Sequence, residues 1–264
     1  MLGFFIVEAV VLGLILGSFL NALAYRIPRK ESLMTRSHCT TCNHQIRWYE
    51  NIPVVSYLFL RGKCSGCGEH ISLRYPVVEA ATGAIFGLLT WKALTGDSDL
   101  PFLVAAIYLV FSFSAILLSL IDFDTFKLPA YLVYRTTGIV LALILLYSFL
   151  TGDFGGLIRA VVTGVIFWLI YFILWAWKPK AMGFGDVRFA LLIGVVVGWV
   201  GIGTGILAFF APAFLSLLWM IPSLVKKAAS MKTKIPYGPW MAMGAILAIL
   251  IGDIVMDSYL RLGA

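Results

Sequence analysis

The sequence predicts an all-α membrane protein that crosses the bilayer about eight times and carries one folded loop in the cytoplasm. Three observations support this prediction. Apolar residues make up 61% of the 264 residues and charged residues only 12%, which is about half of the charged fraction of a water-soluble domain. The apolar residues form runs of the length that a membrane helix needs, roughly 20 residues. The basic residues collect between alternate runs.

Eight apolar segments are predicted to span the membrane. The sixth is the shortest, and a glycine-rich turn over residues 198–203 separates it from the seventh. The first is predicted to be a retained span and not a signal peptide, because basic residues follow it instead of preceding it. The segments are Phe4–Ala24, Val77–Leu94, Phe102–Ile121, Tyr131–Leu150, Ile158–Trp177, Val187–Val200, Gly205–Leu224 and Tyr237–Tyr259.

The basic residues predict the orientation of these spans. If the loop between the first two spans is cytoplasmic, 17 of the 20 Lys and Arg residues lie on the cytoplasmic side, and Lys92, Arg159 and Arg261 lie outside. Cytoplasmic loops of membrane proteins are enriched in Lys and Arg in this way. Both termini are therefore predicted to lie outside. The net charge of +7 reflects this orientation, and nucleic-acid binding is not expected because the charge is spread over separate loops.

All four cysteines lie in the loop between the first two spans. They form two Cys-x-x-Cys pairs, Cys39 with Cys42 and Cys64 with Cys67. Pairs at this separation are typical of a zinc ribbon, in which four thiolates hold one structural zinc ion and leave no open position for chemistry. Disulfides are the alternative, which a reducing cytoplasm disfavours.

Three histidines, His38, His44 and His70, stand beside the cysteine pairs. Each of them could replace a thiolate as a metal ligand. Because four cysteines already complete a tetrahedral zinc site, the histidines are expected to be solvent-exposed side chains and not ligands.

Two aspartates stand at the ends of apolar runs. Asp122 closes the third run, and Asp186 opens the sixth, directly after Gly183 and Gly185. Ionisable residues in such places are costly and are usually functional. In the predicted topology both lie at the cytoplasmic ends of their spans, so they can converge. Two close carboxylates that share a proton can act as an acid–base pair.

Motifs along nearly the whole chain resemble the bacterial type IV prepilin peptidases. Ile121 to Asp124 with Leu128-Pro129 and Gly183 to Asp186 are similar to the two aspartate motifs of that family, and the second is the GxGD pattern of intramembrane aspartyl proteases. The amino-terminal motifs that carry the resemblance are GSFLN at 17–21, YRIP at 25–28, RSHC at 36–39, WYENIP at 48–53, RGKC at 61–64 and SLRYP at 72–76.

The resemblance implies a bifunctional enzyme of the bacterial cytoplasmic (inner) membrane. Such enzymes cleave the leader peptide from type IV prepilins and pseudopilins at the cytoplasmic face, and then methylate the new amino terminus with S-adenosylmethionine. It implies that Asp122 and Asp186 are catalytic and that the four cysteines hold zinc. It also divides the chain into a first membrane helix (1–24), a zinc-binding loop that is the candidate methyltransferase region (25–76) and a membrane-embedded protease domain (77–264).

Two other classes of protein are compatible with parts of the sequence. A membrane transporter could use the aspartates as a proton relay, but it would not need a zinc ribbon. A non-enzymatic zinc-ribbon assembly protein would leave the two aspartates unexplained.

Some features of the sequence have no assigned role. These are the contacts of S-adenosylmethionine, the carboxylates of Glu8 and Glu79, and Ala130, where the family often has Asp or Asn. Asp124 follows Asp122 by two positions and is expected to point away from it on a helix.

Overall fold

The computed structural model describes residues 1–33, 35–39, 41–179, 182–225 and 236–262, with the backbone alone at 222–225 and 256–262. Within these ranges the fold is helical, and two isolated bridges represent the β structure. The all-α prediction is confirmed. The helices are α1 (Leu2–Arg29), α2 (Val55–Phe59), α3 (Arg74–Thr95), α4 (Pro101–Thr125), α5 (Ala130–Thr151), α6 (Phe154–Trp177), α7 (Phe184–Val200), α8 (Ile202–Val225) and α9 (Gly238–Leu262), with a 3₁₀ turn at Trp48–Asn51.

The contacts between Cα atoms divide the chain into two units, Met1–Thr95 and Gly96–Ala264. In the first unit, α1 packs along α3 through small residues. A Cβ atom added at Gly13 would lie 2.8 Å from the Cα of Gly83, and one added at Gly17 would lie 2.7 Å from the Cα of Glu79. Such residues let two membrane helices approach closely. The functional boundaries at 24/25 and 76/77 stay a prediction.

In the second unit, α7 is the central helix. Helices α5, α6, α8 and α9 all pack against it, and most of its residues from Asp186 to Trp199 are buried. Glycines allow the close approach of α6, since a Cβ added at Gly194 would lie 2.8 Å from the carbonyl oxygen of Thr163. Helix α9 packs against both α4 and α8.

Seven of the helices in the described part of the chain are long and apolar enough to cross a membrane: α1, α3, α4, α5, α6, α8 and α9. Helix α7 corresponds to the sixth predicted span, which was also the shortest. Its 17 residues extend about 25 Å, slightly less than the roughly 30 Å hydrocarbon core. Because other helices surround it, α7 has little surface to present to lipid.

Candidate active site and metal centre

Asp122 lies in the last turn of α4 and is only 5% exposed. The helix ends just beyond it, where Phe126 adopts a left-handed conformation (φ 53°) and donates its backbone N–H to the carbonyl oxygen of Asp122 at 2.8 Å. The carboxylate itself accepts a hydrogen bond from the backbone N–H of Gly238, with 2.9 Å between nitrogen and Oδ2. Gly238 is the first residue of α9. The positive end of the α9 dipole therefore faces this carboxylate.

Asp186 has an equivalent environment in the first turn of α7. It is 7% exposed, and its Oδ2 accepts the backbone N–H of Gly183 at 3.1 Å. This bond closes the helix N-terminus in the manner of a capping box. Each aspartate is thus held by a glycine N–H at the start of a helix, and the hydrogen bond fixes the rotation of the carboxylate.

The structure brings the two aspartates together. Asp122 is near enough to Asp186 for their charges to interact. Leu128, from the segment after α4, packs on the first turn of α7, and a Cβ atom added at Gly185 would lie 2.8 Å from the Cβ of Leu128. A side chain at position 185 would therefore separate the two segments that carry the aspartates. The convergence that the topology predicted is present.

Two residues of this site were missed by the sequence analysis. The first is Gly238. The second is Tyr237, whose hydroxyl forms a hydrogen bond with the hydroxyl of Tyr171 from α6. Both tyrosines are close enough to Asp186 to interact with its charge. Both missed residues belong to the sequence Pro-Tyr-Gly-Pro at 236–239. Proline in the first turn of a helix after a turn residue marks a helix start, but that pattern alone does not indicate which side chain the helix faces.

The remaining acidic residues lie apart from the aspartate pair. Asp124 is exposed, as its position on the helix predicted, and Glu8 is exposed on α1. Glu79 is buried in α3, where its Oε2 accepts the backbone N–H of Val54 from the cysteine loop at 2.7 Å. Ala130, the departure from the family pattern, is the first residue of α5.

The four cysteines form one cluster. The ligand atoms of Cys39, Cys42, Cys64 and Cys67 all lie within 4.8 Å of one another, and the four thiols are free. Four sulfurs at this separation fit a tetrahedral zinc site. The thiol pKa values diverge within the cluster: the backbone N–H groups of Cys42 and Thr41 lower the pKa of Cys39 to about 6, whereas the neighbouring thiols raise the pKa of Cys67 to about 12. The cluster thus holds its first negative charge at Cys39. Zinc ligation by this set stays a prediction.

The two cysteine pairs occupy matching turns of the backbone. In the first turn, the backbone N–H of Cys39 donates to the carbonyl oxygen of His44 at 2.9 Å. In the second, the backbone N–H of Cys64 donates to the carbonyl oxygen of Glu69 at 2.8 Å. The residue after each pair is left-handed, with φ of 57° at Asn43 and of 74° at the corresponding glycine, Gly68. One bridge flanks each turn, His38 with Gln45 and Lys63 with His70.

The histidines are not part of the sulfur cluster. His44 instead has its Nε2 atom 3.2 Å from the hydroxyl of Ser65 and 3.6 Å from the Oε2 of Glu50. It therefore links the first cysteine turn to the second. His44 is therefore partly buried and not the solvent-exposed side chain that was expected, whereas His38 and His70 are exposed. The four thiols stay the predicted ligand set.

Two adjoining clefts of about 620 Å³ each lie in the first unit and meet at Arg36 and Trp48. Their size falls in the range of small-molecule sites. The charged residues that line them are all arginines, Arg26, Arg36 and Arg47. S-adenosylmethionine carries a sulfonium and an ammonium cation together with a carboxylate. The arginines could bind the carboxylate, but neither cleft has, among its described residues, an acidic side chain for the two cations. No residue of either cleft is assigned to this methyl donor.

The helices and the buried aspartate pair define a multi-pass membrane protein with a candidate acid–base site. Comparison with known families gives two matches, the bacterial peptidase A24 N-terminal domain at residues 11–93 and the type IV leader peptidase family at residues 109–221. The chain belongs to the type IV leader peptidase family. The transporter and assembly-protein alternatives therefore give way to an enzyme.

Curated relatives match over almost their full length. Proteins named prepilin leader peptidase/N-methyltransferase are 33% identical in Pseudomonas putida (98% of this chain, 95% of the relative), 31% in Pseudomonas aeruginosa (97% and 94%) and 32% in Neisseria gonorrhoeae (91% and 86%). No solved structure matches the chain.

Proposed function

We propose that this protein removes the leader peptide from type IV prepilins and pseudopilins at the cytoplasmic face of the inner membrane, and then methylates the amino terminus that cleavage exposes. The names of relatives that match nearly the whole chain support both activities. The observation that carries the peptidase assignment is the buried pair of aspartates, each held by a glycine N–H at a helix start.

Asp122 and Asp186 are proposed to act as one catalytic unit that holds a single proton. The ionised carboxylate takes a proton from water, which attacks the scissile carbonyl carbon, while the protonated one donates a hydrogen bond to the carbonyl oxygen. The glycine N–H groups bind Oδ2 of each aspartate. The Oδ1 atoms are proposed to face water and substrate.

The zinc site is proposed to be structural. The loop between α1 and α3 contains one 3₁₀ turn and the five-residue helix α2, so it has little regular structure to support it. Four thiolates on one zinc ion would join the two matching turns and supply folding free energy to the loop. Zinc would take no part in peptide cleavage, since a closed four-sulfur site has no open position.

S-adenosylmethionine is proposed as the methyl donor, on the strength of the relatives' names and the family resemblance. It would supply an activated methyl group to the new amino terminus. Among the residues that the structure describes, neither arginine-lined cleft has an acidic side chain for the two cations of this donor, so neither is proposed as its site.

The test is cleavage of a purified prepilin by the purified protein in proteoliposomes, followed by mass spectrometry. Wild-type protein should release the leader, and Asp122→Asn or Asp186→Asn should lower the rate at least about a thousandfold, or roughly 4 kcal/mol of transition-state stabilisation. The double variant should be hardly slower than either single one, and cleavage by wild type should have a bell-shaped pH profile. Asp124→Asn is the matched control and should retain most activity. An essential Asp124 with a dispensable Asp122 would contradict the assignment.

A further inference from the structure

One segment of the cysteine loop, residues 52–60, folds back past the C-terminal end of α1 and lies beside α1 and α3. Glu79 of α3 lies opposite Gly17 of α1, since a Cβ atom added there would be 2.7 Å from the Cα of Glu79. Gly17 is seven residues before Ala24, the end of the predicted first span, or roughly 10 Å along the helix axis. The backbone N–H of Val54 donates to Glu79 Oε2 at 2.7 Å. On its own helix, Glu79 is only two residues inside the predicted second span, which begins at Val77, or roughly 3 Å. The loop therefore meets α3 between about 3 and 10 Å inside the predicted spans.

A second contact places the same segment against α1. Ile52 and Pro53 line a cleft together with Ile15 and Phe19 of α1. Both of these α1 residues lie inside the predicted span, and Arg26, just beyond its end, lines the same cleft. The cleft therefore extends across the end of the span. Side chains of glutamate on α3 lean towards the start of that helix, which makes Val54 somewhat shallower than Glu79. This places the segment at the boundary between headgroups and acyl chains, where interfacial helices lie.

The side chains of this segment are those expected in lipid. Val55, Leu58 and Phe59 on α2 are 45%, 68% and 84% exposed, so their apolar surfaces contact little protein. Exposed apolar clusters on a soluble loop are unusual and mark an interaction surface. Basic residues follow immediately at Arg61 and Lys63, at the position where they can meet anionic headgroups.

The backbone of the segment is also suited to lipid, where unpaired N–H and carbonyl groups are costly. Three backbone N–H groups donate to the carbonyl oxygen four residues earlier. These are Ser56 to Ile52 at 3.0 Å, Leu58 to Val54 at 3.2 Å and Leu60 to Ser56 at 2.9 Å. Val54 has a φ of 62°, which is strained for a β-branched residue. The carboxylate of Glu79 accepts a hydrogen bond from the backbone N–H of this strained residue. As the residue before α2, Val54 has no acceptor for that N–H within the helix.

We propose that residues 52–60 form an interfacial segment at the boundary between headgroups and acyl chains of the leaflet at which α1 ends, with Val55, Leu58 and Phe59 against acyl chains and Glu79 as the anchor of its backbone. The loop is then only partly aqueous. The cysteine turns lie in water, while α2 lies in the bilayer and holds the loop against α1 and α3.

The test is photocrosslinking of the full chain in proteoliposomes of phosphatidylethanolamine and phosphatidylglycerol. A benzophenone amino acid at Leu58 or Phe59 should form lipid adducts, detected by mass spectrometry, in a yield comparable to that at Ile139. Ile139, on α5, is 52% exposed and is the positive control. Glu69, exposed beside the second cysteine pair, is the negative control, with an expected yield at least about fivefold lower. Equal yields at positions 59 and 69 would overturn the proposal.

A second pair of variants tests the anchor. Glu79→Ala removes the acceptor of the Val54 N–H and should lower the lipid yield at position 59 severalfold. Glu79→Gln retains an acceptor oxygen and should preserve the yield. The yield at Ile139 in the same two variants reports that the protein is inserted. An unchanged yield at position 59 in Glu79→Ala would show that Glu79 does not hold the segment in the bilayer.

Discussion

Replacing Gly238 with alanine should disable peptide cleavage without removing either aspartate. A Cβ atom at position 238 would lie 2.8 Å from Oδ2 of Asp122 and 3.2 Å from its Cγ. Ordinary van der Waals contact begins at 3.4 Å, so the carboxylate must move by about 0.6 Å (3.4 minus 2.8). The hydrogen bond from the Gly238 N–H to Oδ2, now 2.9 Å, must then lengthen or bend.

The expected loss follows from the sensitivity of catalysis to position. Misplacing a reacting group by about 1 Å can cost about a hundredfold in rate. Gly238→Ala should therefore slow prepilin cleavage by up to about a hundredfold, or roughly 2.7 kcal/mol. The assay compares cleavage rates of purified variants in proteoliposomes at equal protein concentration. Methyl transfer to a pre-cleaved pilin, measured in the same preparations, should persist.

Gly138→Ala is the matched control. Gly138 lies within α5, and a Cβ atom there would have no neighbour within 4 Å. This variant should cleave at the wild-type rate and gain up to about 1 kcal/mol of helix stability. Cleavage at the wild-type rate by Gly238→Ala would refute the reasoning, because Asp122 would then not need the position that Gly238 defines.

Three further predictions concern the separation of activities, the metal and the topology. Asp186→Asn should abolish cleavage but leave methyl transfer to a pre-cleaved amino terminus largely intact, and loss of both in folded protein would indicate one shared site. Purified protein should contain about one equivalent of zinc, and Cys→Ser at Cys39, Cys42, Cys64 or Cys67 should release it and expose the loop to protease; absence of metal under reducing conditions would favour disulfides. Single cysteines at Ser98 and Thr151, in a background without native cysteines, should react with an impermeant maleimide in intact cells, whereas one at Lys232, outside the described residues, should not.

The membrane helices and the convergence of the aspartates were predictable from the sequence. Long apolar runs are a strong signal of membrane helices. Because successive spans alternate in direction, Asp122 and Asp186 are both predicted to lie at the same face of the membrane. The cluster of cysteines was predictable too, because the spacing within each pair already fixes a metal-binding turn. For the helices and the cysteine turns the relevant information lies in a few neighbouring residues, and for the aspartates it lies in the order of the spans.

The contacts of Gly238 and Val54 were not predictable in the same way. Both residues contribute a backbone N–H to a buried carboxylate, and every residue except proline has such a group. The sequence therefore contains no side-chain pattern that distinguishes these two from others. They are selected by the packing of helices that are distant in the chain, which local periodicity does not encode.

The bond between Asp122 and Gly238 also has a consequence for biosynthesis. Its partners lie 116 positions apart, an interval that a ribosome takes roughly 6 to 23 seconds to translate. Throughout that interval α4 is already made while α9 is not, so Asp122 has no N–H from Gly238 to orient it. The proposed catalytic pair thus acquires its final geometry only when α9 enters the membrane, and a nascent chain that has not reached α9 lacks it.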